Sequence, residues 1–316
     1  MSAPPLPADT AGRALAGAAP ALPPAAGDAP ILIDAATLRA WPLPVPGDDA
    51  DKEERGRLLI VAGSVEMPGA AILAAQSALR AGVGKLGLVV PEPVAIGIAL
   101  AVPEARVIAW RDDASAQQAL LDLARRADAL LIGPGMQDTG LACRLAADWL
   151  PRLGDDTRVV LDACAMDVVL QHTERFTRPV LLTPHAGEMA HLTGQDKTAL
   201  RGDPVRTARE AAARWNAVVA LKGPLTCIAL PDGRCWQHQG GNIGLAVSGS
   251  GDTLAGMVAG LAARGATLEQ AAAWGVALHA RAGDQLARRW GLLGYLAREI
   301  PAEVPGLMEE LQGPQA

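Results

Sequence analysis

Between residues 58 and 221 the chain keeps repeating one pattern: a short aliphatic run, a polar or glycine-rich turn, then in most cases an alanine-rich stretch. Residues 58–61 (Leu-Leu-Ile-Val) and 86–90 (Leu-Gly-Leu-Val-Val) are the first two runs. Residues 105–109, 129–132, 159–161, 180–182 and 218–221 continue the series. Strands without a polar alternate residue suit burial on both faces, and the helices between them supply the covers. The pattern predicts an α/β fold with a mostly parallel central sheet flanked by helices on both faces. Helices are expected over 69–81, 252–263 and 268–287. Residues 226–230 and 234–238 flank Pro231-Asp232-Gly233, a turn sequence that predicts an antiparallel hairpin at one sheet edge.

A chain of 316 residues can bury a large core, and one Phe and one Tyr mean that this core is aliphatic, with close helix–sheet packing. Neither a linker nor an internal repeat interrupts residues 31–316, which are expected to form a single domain. Residues 1–30 are rich in Ala and Pro and almost free of bulky apolar side chains. They cannot bury enough surface to offset their ordering entropy and are expected to be a disordered tail. A net charge of −6 without a basic run argues against a nucleic-acid partner. No apolar run reaches membrane-spanning length, and the start lacks the pattern of a signal peptide. Cys143, Cys164, Cys227 and Cys235 follow no metal-ligand or disulfide spacing, although Cys227 and Cys235 could lie on neighbouring strands. Buried thiols in a cytoplasmic protein are the expectation.

In open parallel sheets, ligands bind beyond the C-terminal ends of the strands, and the turns there carry the chemistry. Ala62-Gly63-Ser64 and Gly69-Ala70 follow the first strand, and Gly133-Pro134-Gly135 follows the run at 129–132. Asp162, Thr183-Pro184-His185-Ala186-Gly187-Glu188 and Lys222-Gly223 end the next three. Each turn alone has a plain reading: Asp162 or His185 could cap a helix, and Gly-Pro-Gly is a common turn. A lone cation such as Lys222 at a buried strand end needs a partner, and a nucleotide phosphate would serve. Further on, Ser248-Gly249-Ser250-Gly251-Asp252 opens a helix. Small residues let backbone N–H groups crowd at a helix N-terminus, which suits an anion such as phosphate. Asp252 would repel that anion. It reads as a base taking a proton from a substrate hydroxyl, or else as a helix cap. A phosphate cradle beside a base suggests phosphoryl transfer.

These motifs together resemble the ADP/ATP-dependent NAD(P)H-hydrate dehydratases, a branch of the ribokinase-like superfamily. The similarity runs from about residue 50 to about residue 300, through the turns above, Leu161-Asp162-Ala163, Leu221-Lys222-Gly223, Gly241-Asn242 and Gly249-Ser250-Gly251-Asp252. Thr183-Pro184-His185-Ala186-Gly187-Glu188 is its most specific element. The resemblance implies repair of hydrated NADH and NADPH: phosphorylation of the added hydroxyl at the expense of ADP or ATP, then loss of phosphate. It implies Asp252 as the base and an anion hole at Gly249, Ser250 and Gly251. It places the hydrated dinucleotide at Ala70, Gly135, His185 and Asp252. The nucleotide falls at Lys222, Gly223, Pro224, Leu225, Thr226 and Gly251, with Asp162, Glu188 and Asn242 as support. It also implies Mg²⁺ on the phosphates, a homo-oligomer, with a homotetramer one option, and functional pairing with a separate epimerase. A high-GC bacterial composition favours ADP. Ala62 where Gly is usual, Met67-Pro68, Gln137, and Ala246-Val247-Ser248 where Ala-Thr-Gly is typical are departures that alter loop shape. Two rivals share the cradle: a kinase of a small vitamin-precursor alcohol, and a nucleotide-binding protein without turnover.

Overall fold

The computed structural model describes residues 29–47, 52–111, 114–171 and 175–313, so the expected tail lies outside the described residues but for its last two positions. Ten strands form one sheet: β1 (Ile31–Leu32), β2 (Arg57–Val61), β3 (Lys85–Pro91), β4 (Arg106–Trp110), β5 (Ala129–Ile132), β6 (Arg158–Leu161), β7 (Leu181–Leu182), β8 (Val218–Leu221), β9 (Leu225–Ala229) and β10 (Cys235–Gln239). Their spatial order is β1-β10-β9-β8-β7-β6-β5-β2-β3-β4. Strands β2 to β8 are mutually parallel. The order doubles back between β5 and β2, as in doubly wound folds, and binding crevices open at such reversals.

The hairpin β9–β10 forms as its turn residues dictate. Leu230 N–H donates to Arg234 O at 2.9 Å, and Gly233 takes φ +90°. One short strand adds itself outside the hairpin: β1 pairs in parallel with β10, Ile31 opposite Trp236. Two residues are too few to carry any periodicity, so sequence pattern does not reveal β1.

Alternate residues of each strand feed two cores. Leu58 and Ile60 enter one, while Leu59 and Val61 enter the other. The first lies under the helices Pro68–Arg80, Ser250–Ala263, Leu268–Trp290 and Ile300–Gln312. The second lies under Thr139–Trp149, Ala186–Thr193 and Pro204–Trp215. Glycines make the first layer compact. A Cβ on Gly256 would sit 2.1 Å from Ala74 O, and one on Gly260 would sit 2.8 Å from Ala78 O. Ser77 Oγ donates to Thr253 O at 2.6 Å across the same seam. The helix carrying Asp252 is thereby fixed against the helix carrying Ala70.

All four cysteines are free. Cys227 and Cys235 do lie on neighbouring strands, but opposite Gln237 and Ala229 rather than each other. Burial pushes the Cys227 thiol up to about 12 and the other three to about 11, which keeps them protonated. No described helix is long and apolar enough to cross a membrane.

Candidate active site

The parallel strands deliver their terminal turns to one rim, where backbone hydrogen bonds zip them together. Gly63 N–H donates to Pro134 O at 2.7 Å, Asp162 N–H to Ile132 O at 3.0 Å, and Lys222 N–H to Pro184 O at 2.8 Å. At the β2 and β5 ends the backbone approach is close. A Cβ on Gly135 would lie 2.3 Å from the Ala70 Cβ, and one on Gly133 would lie 1.8 Å from Asp162 O. Ala70 and Gly135 are thus in contact, both buried, at the mouth of the first turn. Gly63, Gly133 and Gly135 all take positive φ, where a side chain would be strained.

Asp162, Glu188 and Lys222 form the charged centre of this rim. Lys222 Nζ lies 3.3 Å from Asp162 Oδ1 and 3.9 Å from Glu188 Oε2, with its side chain 18 % exposed. Asp162 Oδ1 also accepts from Thr183 Oγ1 at 2.6 Å. Asp162 precedes the short helical turn Ala163–Asp167 but makes no capping hydrogen bond to it. Its carboxylate is turned to the cation instead. Ala163, next in the chain, takes φ +48°, uncommon for a residue with a side chain; strain of this kind gathers at functional sites. Burial opposes the Lys222 charge, but Asp162 and Glu188 outweigh it and hold the ammonium above its ordinary range.

Asp252 joins this cluster from the other side. Gly249, at φ +88°, is the N-cap residue of the Ser250–Ala263 helix, so Asp252 stands in the first turn rather than at the cap. A Cβ on Gly251 would lie 3.6 Å from Lys222 Nζ, so the ammonium sits over the first helical turn. Burial, then the neighbouring charge of Asp162, pushes the Asp252 carboxyl up to about 6. Lys222 pulls it down and Glu188 pushes it up. A carboxyl titrating there is ionised at neutral pH and still basic enough to accept a hydroxyl proton as charge moves.

His185 caps the Ala186–Thr193 helix. Its Nδ1 accepts from Gly187 N–H at 2.9 Å and Glu188 N–H at 3.0 Å, while Glu188 Oε2 accepts from His185 N–H at 2.7 Å. With Nδ1 accepting, the proton of the neutral ring is on Nε2, and the side chain is 60 % exposed. Capping and ligand contact are therefore compatible here. Gly223 to Thr226 close a tight turn behind Lys222: Gly223 N–H donates to Thr226 Oγ1 at 3.3 Å, and Thr226 Oγ1 donates to Gly223 O at 3.1 Å. Pro224 is exposed at its tip, and Leu225 begins β9.

Asn242 stands apart. Its Oδ1 accepts from Gly244 N–H and the Tyr295 hydroxyl, both at 2.9 Å, and its Nδ2 donates to Asp284 Oδ1 at 3.0 Å. None of these partners belongs to the Asp252 cluster, so it supports the loop leading to the cradle rather than the cradle itself. Sequence reasoning missed His279, whose Nε2 lies 3.1 Å from Ser250 O. The one signal was a histidine inside the Ala/Val/Leu run 276–280, on a helix expected to be buried. Among the described residues no three His, Cys, Asp or Glu side chains converge as a metal cage.

Comparison with known proteins gives concordant results. A family model described as NAD(P)H-hydrate dehydratase matches residues 58–305. The chain is 49% identical over 286 residues to the ADP-dependent (S)-NAD(P)H-hydrate dehydratase of Xanthomonas campestris pv. campestris, covering 88% of this chain and 96% of that one. It is 36% identical to the bifunctional NAD(P)H-hydrate repair enzyme of Moorella thermoacetica, spanning half of that protein's length. The crystal structure of the ADP/ATP-dependent NAD(P)H-hydrate dehydratase from Bacillus subtilis, co-crystallised with ATP and Mg²⁺, superposes with a TM-score of 0.79 at 33% identity. That superposition covers 89% of this chain and 98% of the other.

Proposed function

The chain belongs to the NAD(P)H-hydrate dehydratase family, and from that membership we propose that it converts the S epimer of hydrated NADH and NADPH back to the reduced cofactors, with ADP converted to AMP. The observation that carries the mechanism is the Asp252 carboxyl, raised to about 6 beside Lys222 and the first turn of a helix. Asp252 takes the proton of the added hydroxyl as its oxygen bonds to the terminal phosphorus and the phosphorus–oxygen bond to the departing AMP breaks. Ser250 N–H is held by Val247 O at 3.2 Å, so the N–H groups of Gly249 and Gly251 are the ones left to face the charge that develops, a role that supplies a large share of such catalysis. Phosphate then leaves with its carbon–oxygen bond, a neighbouring ring carbon gives up a proton, and the double bond is restored.

In this reading Ala70, Gly135 and His185 seat the hydrated dinucleotide, and Lys222 to Thr226 with Gly251 seat the nucleotide. Mg²⁺ would be held mainly by phosphate oxygens, with Asp162 and Glu188 as the carboxylates that could assist, since among the described residues no three His, Cys, Asp or Glu side chains converge as a cage. When bound it would neutralise charge on the transferring group. The ADP-dependent relative from Xanthomonas supports ADP as donor. Cytoplasmic location, a homo-oligomer and pairing with an epimerase that interconverts the two hydrates are inferred with it. A small-alcohol kinase would share Asp252 and the cradle but stop at the phosphorylated product; membership in the dehydratase family favours elimination.

The test is purified protein with hydrated NADH, Mg²⁺ and either ADP or ATP, following reduced-nicotinamide absorbance beside phosphate release. Nucleotide-dependent recovery is expected, faster with ADP. Phosphorylated substrate accumulating without recovery would support the kinase instead.

A further inference from the structure

His279 is a buried titratable group, at the first turn of the Ser250–Ala263 helix, that the reaction above leaves without a role. It comes from the Leu268–Trp290 helix, and its Nε2 is 3.1 Å from both Ser250 O and Ser250 Oγ. A carbonyl oxygen only accepts, so a bare nitrogen lone pair facing it would be repelled; the proton is therefore on Nε2. Burial, reinforced by the Lys222 charge, lowers the imidazole to about 4, so the ring is neutral at physiological pH.

Its N–H, shared between Ser250 O and Oγ, occupies a lone pair of the hydroxyl and leaves the hydroxyl proton free for another acceptor. Among the described residues Ser250 Oγ has no other hydrogen-bond partner. The same turn is fixed from two further directions. Thr253 Oγ1 donates to Ser250 O at 2.7 Å, and Ser77 Oγ donates to Thr253 O at 2.6 Å. Ser250 thus stands in a cradle residue's position with its rotamer set from below and one donor unspent.

We propose that His279 is a positioning residue for phosphoryl transfer, holding Ser250 so that its hydroxyl proton is presented to the phosphoryl group bound over residues 249–251. This rests on the reading of that turn as the phosphoryl site. A donor aimed in advance stabilises developing charge without reorganising during the reaction.

Four variants test it: Ser250→Ala, His279→Leu, the double substitution, and His279→Gln, whose amide N–H can reach a similar point. They are measured for kcat and for the KM of ADP with hydrated NADH, for ADP affinity by calorimetry, and for folding by circular dichroism. Each single loss should lower kcat about tenfold to a hundredfold, the range for a hydrogen bond to a charged group. The double variant should fall no further than either single one, and His279→Gln should recover most of the activity. Wild-type kcat in Ser250→Ala, or losses that multiply in the double variant, would overturn the proposal. If the wild type does not dehydrate hydrated NADH, the reaction assigned above fails by itself. The same cycle on ADP affinity then decides the His279–Ser250 unit, with multiplying losses again overturning it. If His279→Leu does not fold, Ser250→Ala and His279→Gln carry the decision.

Discussion

At the scale of single residues, Asp252 and Lys222 set the behaviour of the site. As the proposed base, an Asp252 carboxyl titrating near 6 must be ionised to act, so kcat/KM should fall below a limb at about pH 6. Asp252→Asn should abolish turnover while ADP binding, measured by calorimetry, persists. The same shift has a stability sign. The folded state holds this proton more tightly than the unfolded chain, whose value is near 3.8. The contribution of Asp252 is therefore full below pH 4 and lost as pH rises through about 6. Asp252→Asn should then be the more stable protein at pH 8, by about 1–3 kcal/mol, read from urea unfolding; equal stability at both pH 4 and pH 8 would contradict the buried-carboxyl account. Lys222→Met should act in the opposite way. It strands Asp162 and Glu188 beside Asp252 without their cation, costing toward the low end of the roughly 3–5 kcal/mol known for broken buried pairs. It should also move the Asp252 titration upward, measurable from its carboxyl carbon by NMR. A downward move would mean that the ammonium does not face this carboxyl.

At the scale of elements, two helices locked through glycine carry the two halves of the site. Gly256→Ala would place a methyl group 2.1 Å from Ala74 O, and neither partner can move without shifting a helix. A cost of at least about 1–3 kcal/mol is expected, with loss of activity as Asp252 shifts relative to Ala70. Gly97 is the control: it lies in the Glu92–Ala101 helix with nothing within 4 Å of its Cβ position. Gly97→Ala should stabilise by about 0.5–1 kcal/mol, since only helix propensity changes there. Thermal unfolding of both variants checks the contrast, and similar shifts would show that the seam tolerates a methyl group. This contrast also marks how far the sequence could be read. Aliphatic runs predicted β2 to β8, because a strand covered on both faces is largely apolar, and the Pro231-Asp232-Gly233 turn predicted the hairpin. The Gly/Ser turns at their ends announced the rim for the same local reason. What stayed hidden depends on contacts distant in sequence: Ile31–Leu32 pairing with β10, His279 reaching Ser250, and Asp162 choosing Lys222 over the helix it precedes.

At the scale of the whole molecule, the residues ahead of the family match are tied into the fold. The match begins at residue 58, yet Trp41 stacks on Trp236 with ring centroids 5.6 Å apart. Its carbonyl accepts from Trp274 Nε1 at 2.8 Å and from Gln270 Nε2 at 3.2 Å. Pro42 O takes the same amide at 2.9 Å. The buried Trp274 N–H and Gln270 amide N–H thus find their acceptors in this segment. The segment also covers the outer side of the hairpin through β1, which would otherwise leave β10 as an exposed edge open to pairing with other chains. We therefore expect residues 31–47 to unfold together with the catalytic layer, not before it. Trp41→Ala should cost about 3–5 kcal/mol through the cavity it leaves, and should lower Tm in a single transition. Because no residue of the Asp252 cluster touches Trp41, kcat at a temperature well below that transition should stay near the wild-type value. Two separated transitions, or an unchanged Tm, would show instead that the segment rests on a domain already complete without it.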